Sequence, residues 1–405
     1  MKTLLGSRLS GLRKGFRAFS RKVSDFELIP QNIGKFSHMF SEEMKALHYD
    51  QVKIDKIGNV IGRVKGYSNK TPIVLLANID YASGLKDGDA GNKRNDMAAF
   101  KAGLLTAVYT GALLKTTLVP LDGDLYVCCV PRMDNCDYGI RHLFDNSLPE
   151  KTSRIKGVIL SEPTRGNIHI GHKGRFEYEI VVRGKVGAPM LRNRGVNMLG
   201  AMFPLINELE KASRILPHNS ILGDSNLNIK NVNINQNSGL KDCSEFKIVI
   251  DRGFVPEENT QGILEKAKKI AQNIYKDEAD LKINTLLSKE KIKTYTGVAI
   301  VAKKEYKPWN MNSHDPFVLN SLEALRQHRS KATLDYWKKI VTDGSYTFAE
   351  LGIPTIGFGA GSEDDIEDVQ GSVADNHLEK AVLETGIIIQ RNIGLPTFGW
   401  SSDEI

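Results

Sequence analysis

The sequence predicts an α/β protein with a mixed, largely parallel sheet, interrupted by an inserted ferredoxin-like β-α-β-β-α-β sandwich. Three observations carry this prediction. Through the first 170 or so residues, short continuous apolar runs of the kind found in strands buried on both faces alternate with helix-period segments. The middle of the chain changes to polar–apolar alternation, the mark of half-exposed strands, and after about residue 295 the buried-strand style returns. The expected organisation is a basic amphipathic segment over 1–24, an α/β domain made of 25–174 and 295–405, and an inserted domain over 175–294.

In chain order, Leu5, Leu9, Leu12, Phe16, Phe19 and Val23 recur at spacings of four and three, which places one apolar stripe on a helix otherwise carrying Arg, Lys and Ser. Three readings of this segment are open: a transit peptide, an anchor on an anionic membrane, or a terminal helix packed on its own domain. Val52–Lys65 holds a turn at Gly58-Asn59 between alternating apolar residues, as a hairpin does. Pro72–Ala77, Asp124–Val130 and Gly157–Ser161 read as buried strands, and Met97–Leu114, rich in Ala, Leu and Gly, as a core-facing helix. The inserted sandwich is read from a strand at Arg175–Lys185, a helix at Val196–Ala212, strands near Asn228–Asn235 and Glu245–Asp251, a helix with Ile263, Ala267, Ile270 and Ile274 on one face, and a strand near Lys282–Ser288. A helix around His314–Arg329 and the strand-turn Pro354–Gly361 complete the second half of the α/β domain.

With 405 residues, 41% hydrophobic and 25% charged, the chain can bury a sizeable core and form about two domains, which excludes disordered and collagen-like classes. Lys and Arg total 55 against 48 acids, but seven of the bases precede the first acid, Asp25, so the body is electrically balanced. With no basic run or repeated aromatic platform in that body, nucleic acid is not an expected partner. The four cysteines, Cys128, Cys129, Cys136 and Cys243, lack the spacing of a metal site and read as buried thiols of a reducing compartment. A cytoplasmic location is therefore expected, or a mitochondrial one if the source is eukaryotic and the first segment is a leader. No apolar run is long enough to cross a bilayer, so membrane contact is expected only through the N-terminal segment, if at all.

Seven segments in order carry a more specific message: Lys56–Gly62 before the first buried strand, Leu75–Asp80 at its end, Asn95-Asp-Met97 opening a helix, Ser161-Glu-Pro-Thr164 after a later strand, Gly171–Arg175, Arg194–Asn197 and Gly352–Gly359. Together they resemble the dinuclear-zinc amidohydrolases and peptidases, the family of acetylornithine deacetylase, succinyl-diaminopimelate desuccinylase, aminoacylase and carboxypeptidase G. The likeness spans nearly all of the chain after residue 40. It implies a zinc-peptidase-like α/β domain and an inserted lid and dimerisation domain. It also implies two zinc ions sharing an Asp and held by His, Asp and Glu, with a further Glu as general base on a zinc-bound water.

Laid on this chain, the pattern is largely replaced. The resemblance puts the family's first His at Asn78 and keeps Asp80, which would orient that His, and Asp96, the bridging position. Its Glu-Glu pair falls on Arg132-Met133, its retained carboxylate ligand on Glu162, its last His in the acidic run, at Glu367, and its substrate-contacting His at Ala188. Two of six ligand and base positions are kept. With Arg132 at the general-base position, no catalytic residue is assigned, because a guanidinium holds its proton and repels a dication. The expectation is that Arg132 forks onto Asp96 or Glu162 in the metals' electrostatic place.

Asp96 and Glu162 are then vestigial carboxylates rather than zinc ligands. If any metal binds, an oxygen-rich set of Asn78, Asp96, Glu162 and Glu367 suits weakly held Mg²⁺, Mn²⁺ or Ca²⁺ better than Zn²⁺, and no cofactor is otherwise expected. His172 and Asp343 are candidates to face a ligand, with a structural hydrogen bond an equal reading for His172; His142, His169 and His377 read as ordinary surface or loop residues. Cys128 and Cys129 sit inside a strand and read as core thiols rather than nucleophiles. Gly357–Gly361 lacks the Lys-Ser/Thr of a phosphate loop and opens onto five acids within 363–368. The expected function is a catalytically silent member of the family acting as a binding or partner module, with a small-molecule or peptide ligand and a homodimer through the lid domain. The rival is an amide or peptide hydrolase with an altered metal site, and a third reading is a subunit paired with an active paralogue.

Overall fold

The computed structural model describes residues 2–68, 70–81, 98–117, 121–133, 136–185, 198–235, 243–278, 281–328, 331–367 and 373–394. The chain divides into two compact units, one formed by Met1–His172, Lys291–Ile300 and Trp309–Ile405, the other by Lys173–Glu290 and Val301–Pro308.

The first unit is built on a nine-stranded sheet. Its strands are β1 (Gln51–Ile54), β2 (Val60–Val64), β3 (Lys70–Tyr81), β4 (Gly123–Met133), β5 (Gly157–Leu160), β6 (Ile168–His172), β7 (Trp309–Asn310), β8 (Leu334–Trp337) and β9 (Thr355–Gly357). The spatial order is β1-β2-β4-β3-β5-β9-β6-β7, with β8 also pairing β6. The four central strands, β4, β3, β5 and β9, run parallel, while β1 and β2 form an antiparallel hairpin on one side and β6 meets β9 antiparallel on the other. This explains the apolar runs: Ile73–Ala77, Leu125–Val130 and Val158–Leu160 are buried because both faces of a central parallel strand are covered. The hairpin turn is fixed by Asp55, whose Oδ1 accepts from the backbone N–H groups of Ile57, Gly58 and Asn59 at 2.9–3.0 Å, with Gly58 at φ +105°.

Helices α1 (Lys2–Ser24), α2 (Ile33–Ala46), α3 (Ala98–Thr116), α4 (Pro316–Gln327) and α5 (Asp375–Ile393) cover this sheet. The N-terminal segment is part of the unit. Leu5, Leu9, Phe16, Phe19 and Val23 are buried in its core, and Phe16 meets Tyr109 of α3 edge to face at 4.9 Å. Arg13 and Arg17 both reach Glu379 of α5, and the buried Lys101 ammonium donates to the carbonyls of Ser24 and Phe26, satisfying the end of α1 where the helix dipole is negative. Of the three readings of this segment, the packed terminal helix is the one built; its apolar stripe is used internally and is not on offer to a bilayer. No helix among the described residues is long and apolar enough to cross a membrane.

The second unit has the strand order Asn226–Asn235, Cys243–Phe254, Gly174–Lys185, Lys282–Leu287, all antiparallel, with Glu305–Tyr306 added to Gly174–Lys185. Numbered along the chain this is 2-3-1-4, the ferredoxin-like arrangement. Helices Met198–Ser213 and Thr260–Ile274 close one face, and their Met198, Met202, Leu205, Leu209, Ile263, Ala267 and Ala271 share a separate core with Phe176, Ile180, Phe246 and Ile248. Asn259 caps the second helix by accepting from Gly262 N–H at 2.8 Å.

Candidate functional site

The chain leaves β3 through α3 to reach β4 on one side, while β5 joins β3 on the other. This reversal lies at the carboxyl ends of the parallel strands, the place where open α/β sheets form a crevice and bind ligands. Four pieces of the first unit converge there: Asn78 near the end of β3, Arg132 near the end of β4, Glu162 just after β5, and the 341–343 segment after β8. Close backbone approaches hold the Glu162 turn. A Cβ on Gly103 would lie 2.1 Å from the Ser161 carbonyl oxygen and one on Gly359 would lie 2.5 Å from that of Glu162, so only glycine fits either position. The Thr164 hydroxyl accepts from Gly359 N–H at 3.0 Å, clasping the two motif turns together.

Asn78, Glu162 and Asp343 are each 2–3% exposed. The Asn78 amide nitrogen lies 2.8 Å from Glu162 Oε1 and 2.8 Å from Asp343 Oδ2, so one NH₂ group donates to both carboxylates. This amide orientation is the one that gives the carboxylates donors; the opposite one would set an oxygen against two oxygens. It leaves Asn78 Oδ1 buried with no hydrogen-bond partner among the described residues. Arg132 is buried beside this cluster, with Nη2 4.0 Å from Glu162 Oε1, Nη1 3.3 Å from the Val341 carbonyl, and the guanidinium 5.7 Å from the centre of the Phe100 ring. His172, fully buried, accepts from Thr342 N–H through Nε2 at 2.8 Å and sets its ring against Trp309. It thereby fixes the segment that presents Asp343.

Of the residues singled out from the sequence, Asn78, Arg132, Glu162, His172 and Asp343 belong to this crevice. Of the expected fork of Arg132 onto Asp96 or Glu162, the Glu162 side is an approach by Nη2 at the edge of ion-pair range, with Nη1 donating to the Val341 carbonyl, and the Asp96 side lies outside the described residues. Asp96 and Ala188 lie outside the described residues. Asp80 is placed through its backbone, in register with Arg132, and Met133 ends β4. Glu367 closes the helical turn Asp364–Glu367, and its side chain, like those of Asp80 and Met133, is outside the description. The acidic run is largely occupied at home: Glu363 accepts from the backbone N–H groups of Lys338, Lys339 and Ile340, Asp364 pairs with Lys339 and Arg165, and Asp365 accepts from Ser362 N–H.

His169 corrects its reading as a surface or loop residue. It sits in β6 at 5% exposure, edge on to Trp337, with Nδ1 buried and unpartnered among the described residues. Burial holds its pKa down to about 4 against the opposing pull of Asp335. The sequence did not point to Val341, Thr342 or Phe100. Two of the three act through backbone atoms, which residue types do not reveal.

Among the described residues, the groups around Asn78 do not make a dinuclear zinc set. An amide N–H has no lone pair for a metal, and here it faces both carboxylates that a cation would need; the nearby guanidinium adds a fixed positive charge. Among the described residues no group of three or more His, Cys, Asp or Glu is placed to hold a metal ion.

Comparison with known proteins places this fold. Residues 170–279 match the peptidase dimerisation domain of the M20 peptidases. A curated relative, protein YgeY of Escherichia coli K12, is 25% identical over 357 residues, covering 84% of this chain and 85% of its own. Among solved structures, a putative aminohydrolase of methicillin-resistant Staphylococcus aureus superimposes with a TM-score of 0.71 at 13% identity, over 97% of this chain and 100% of that one. The dipeptidase Dug1p of Saccharomyces cerevisiae gives 0.68 at 11% identity over 98% and 99% of the two chains. A dinuclear metal-binding M20 peptidase of Bacillus subtilis gives 0.67 at 11% identity over 94% and 98%. The α/β fold is therefore that of the M20 peptidases, and the domain inserted into it matches their peptidase dimerisation domain.

Proposed function

We propose that this chain is a catalytically silent M20 protein, in which a buried hydrogen-bonded network replaces the metal centre and the strand-end crevice serves as a binding or partner module. The observation that carries this reading is the Asn78 amide nitrogen set between Glu162 and Asp343. The family's hydrolysis requires a metal-acidified water and a carboxylate base. Here the carboxylates are engaged by amide protons, and the base position holds Arg132, which keeps its proton at any physiological pH.

The small-molecule or peptide ligand expected from the sequence belongs to this reading, as does assembly through the dimerisation domain, with a second copy or with an active paralogue. No resident cofactor is part of it. The test is elemental analysis after dialysis against excess Zn²⁺, Mn²⁺, Mg²⁺ and Ca²⁺ and gel filtration, with a parallel screen of N-acyl amino acids and dipeptides. The expected result is no stoichiometric metal and no hydrolysis above the metal-only control. Two ions per chain together with turnover would establish the rival, a hydrolase with an altered metal site.

A further inference from the structure

The full net charge of +7 resides in α1, whose seven bases, Lys2, Arg8, Arg13, Lys14, Arg17, Arg21 and Lys22, meet no acid before Asp25, and the rest of the chain is balanced. The structure determines where those charges go. The apolar stripe is spent inside the core, which turns the basic side of a 23-residue helix outward along a length of about 35 Å. Arg13 and Arg17 share the single carboxylate of Glu379. Lys14, Arg21 and Lys22 are exposed and have no ion-pair partner among the described residues. Between the bases the outer side carries Ser7, Ser10, Gly11 and Ala18, all exposed and small, so no bulky side chain holds the cations away from a flat surface. The nearest acids in sequence, Asp25 and Glu27, lie beyond the helix's carboxyl end.

We propose that this outer face of α1 is an electrostatic docking surface for an anionic phospholipid bilayer. The contact is peripheral: no apolar residue of the stripe is free to insert, so affinity comes from the cations alone, falls with salt and vanishes on neutral lipid. A single-stranded nucleic acid is the less fitting occupant, because such sites interleave cations with aromatic platforms and both aromatics of α1, Phe16 and Phe19, are buried. The proposal is independent of whether the crevice is catalytic.

The test is co-sedimentation of the intact protein with vesicles of phosphatidylcholine alone or with about one third phosphatidylserine. Binding is expected only to the anionic vesicles, lost at about 0.5 M salt, and reduced at least about 100-fold in the triple variant Lys14→Glu, Arg21→Glu, Lys22→Glu, whose thermal melt should match the parent. Equal binding to neutral vesicles, salt-insensitive binding of the parent protein, or unchanged binding of the triple variant would each overturn the proposal. So would retention of a polyuridine RNA without vesicle binding, which would assign the face to nucleic acid.

Discussion

Asn78 donates its two amide protons to two buried carboxylates, Glu162 and Asp343. Replacing it with Ala removes both donors at once and leaves Glu162 and Asp343 buried with that support lost. The expected destabilisation is about 2–4 kcal/mol, read as a lowered urea midpoint at unchanged slope. His169 makes a second prediction at this scale. Because its folded pKa of about 4 lies below the ordinary 6.5, the unfolded chain takes up the proton first on acidification. The contribution of the neutral ring is complete above pH 6.5 and is lost as pH falls toward 4, a loss on the order of 3 kcal/mol. A His169→Phe variant should show a correspondingly flatter fall of stability across that window than the parent in urea titrations. These residues also mark how far sequence reading reaches. Asn78, Arg132 and Glu162 were placed in one site by the family resemblance, whose motifs fall at or just past the ends of recognisable strands. That Asn78 bonds Asp343, 265 positions away, is set by how β8 and its following loop fold back, which no local pattern encodes.

Among the elements, α1 is the informative case. Its spacing of apolar residues was legible, but a stripe records only that something is covered and is silent on the cover, so terminal helix, leader and anchor looked alike. The structure supplies α3 and α5 as partners, with Lys101 closing the helix end. Phe16→Ala should therefore cost about 3–5 kcal/mol, as expected for emptying a fully buried aromatic site, and lower the melting temperature measured by circular dichroism. A leader or loose anchor would show no such loss. Strands of the central sheet were the most readable elements, since burial on both faces leaves an unbroken apolar run. The Glu162 turn was legible only as a motif; its basis, two glycines admitting a backbone carbonyl, emerges from three-dimensional packing.

At the scale of the whole molecule, the ferredoxin-like unit was foreseeable from its element order, whereas its boundary with the α/β unit was not. The chain returns to the first unit at 291–300, re-enters the second at 301–308 and leaves again, a weave that composition cannot show. The second unit leaves Leu199 and Phe203 of helix Met198–Ser213 about half exposed, at 48% and 54%. With the dimerisation domain present, sedimentation equilibrium is expected to give about twice the 45.0 kDa chain mass, and Phe203→Glu to shift the mass toward one chain.

The neighbouring thiols of β4 have a practical consequence. Cys128 and Cys129 are fully buried, flanked by β2 and β3, and desolvation drives both far above the ordinary thiol range. An alkylating reagent can reach them only when the middle of the sheet opens, so the rate of their modification, followed peptide by peptide by mass spectrometry, reports how much of the native protein is open wherever reclosing outruns alkylation. Any compound that binds the folded crevice must slow this clock by the factor one plus its concentration over Kd, provided reclosing outruns alkylation. The chain thus carries a reporter for compounds that bind its folded state, one that needs neither turnover nor a guess at the chemistry.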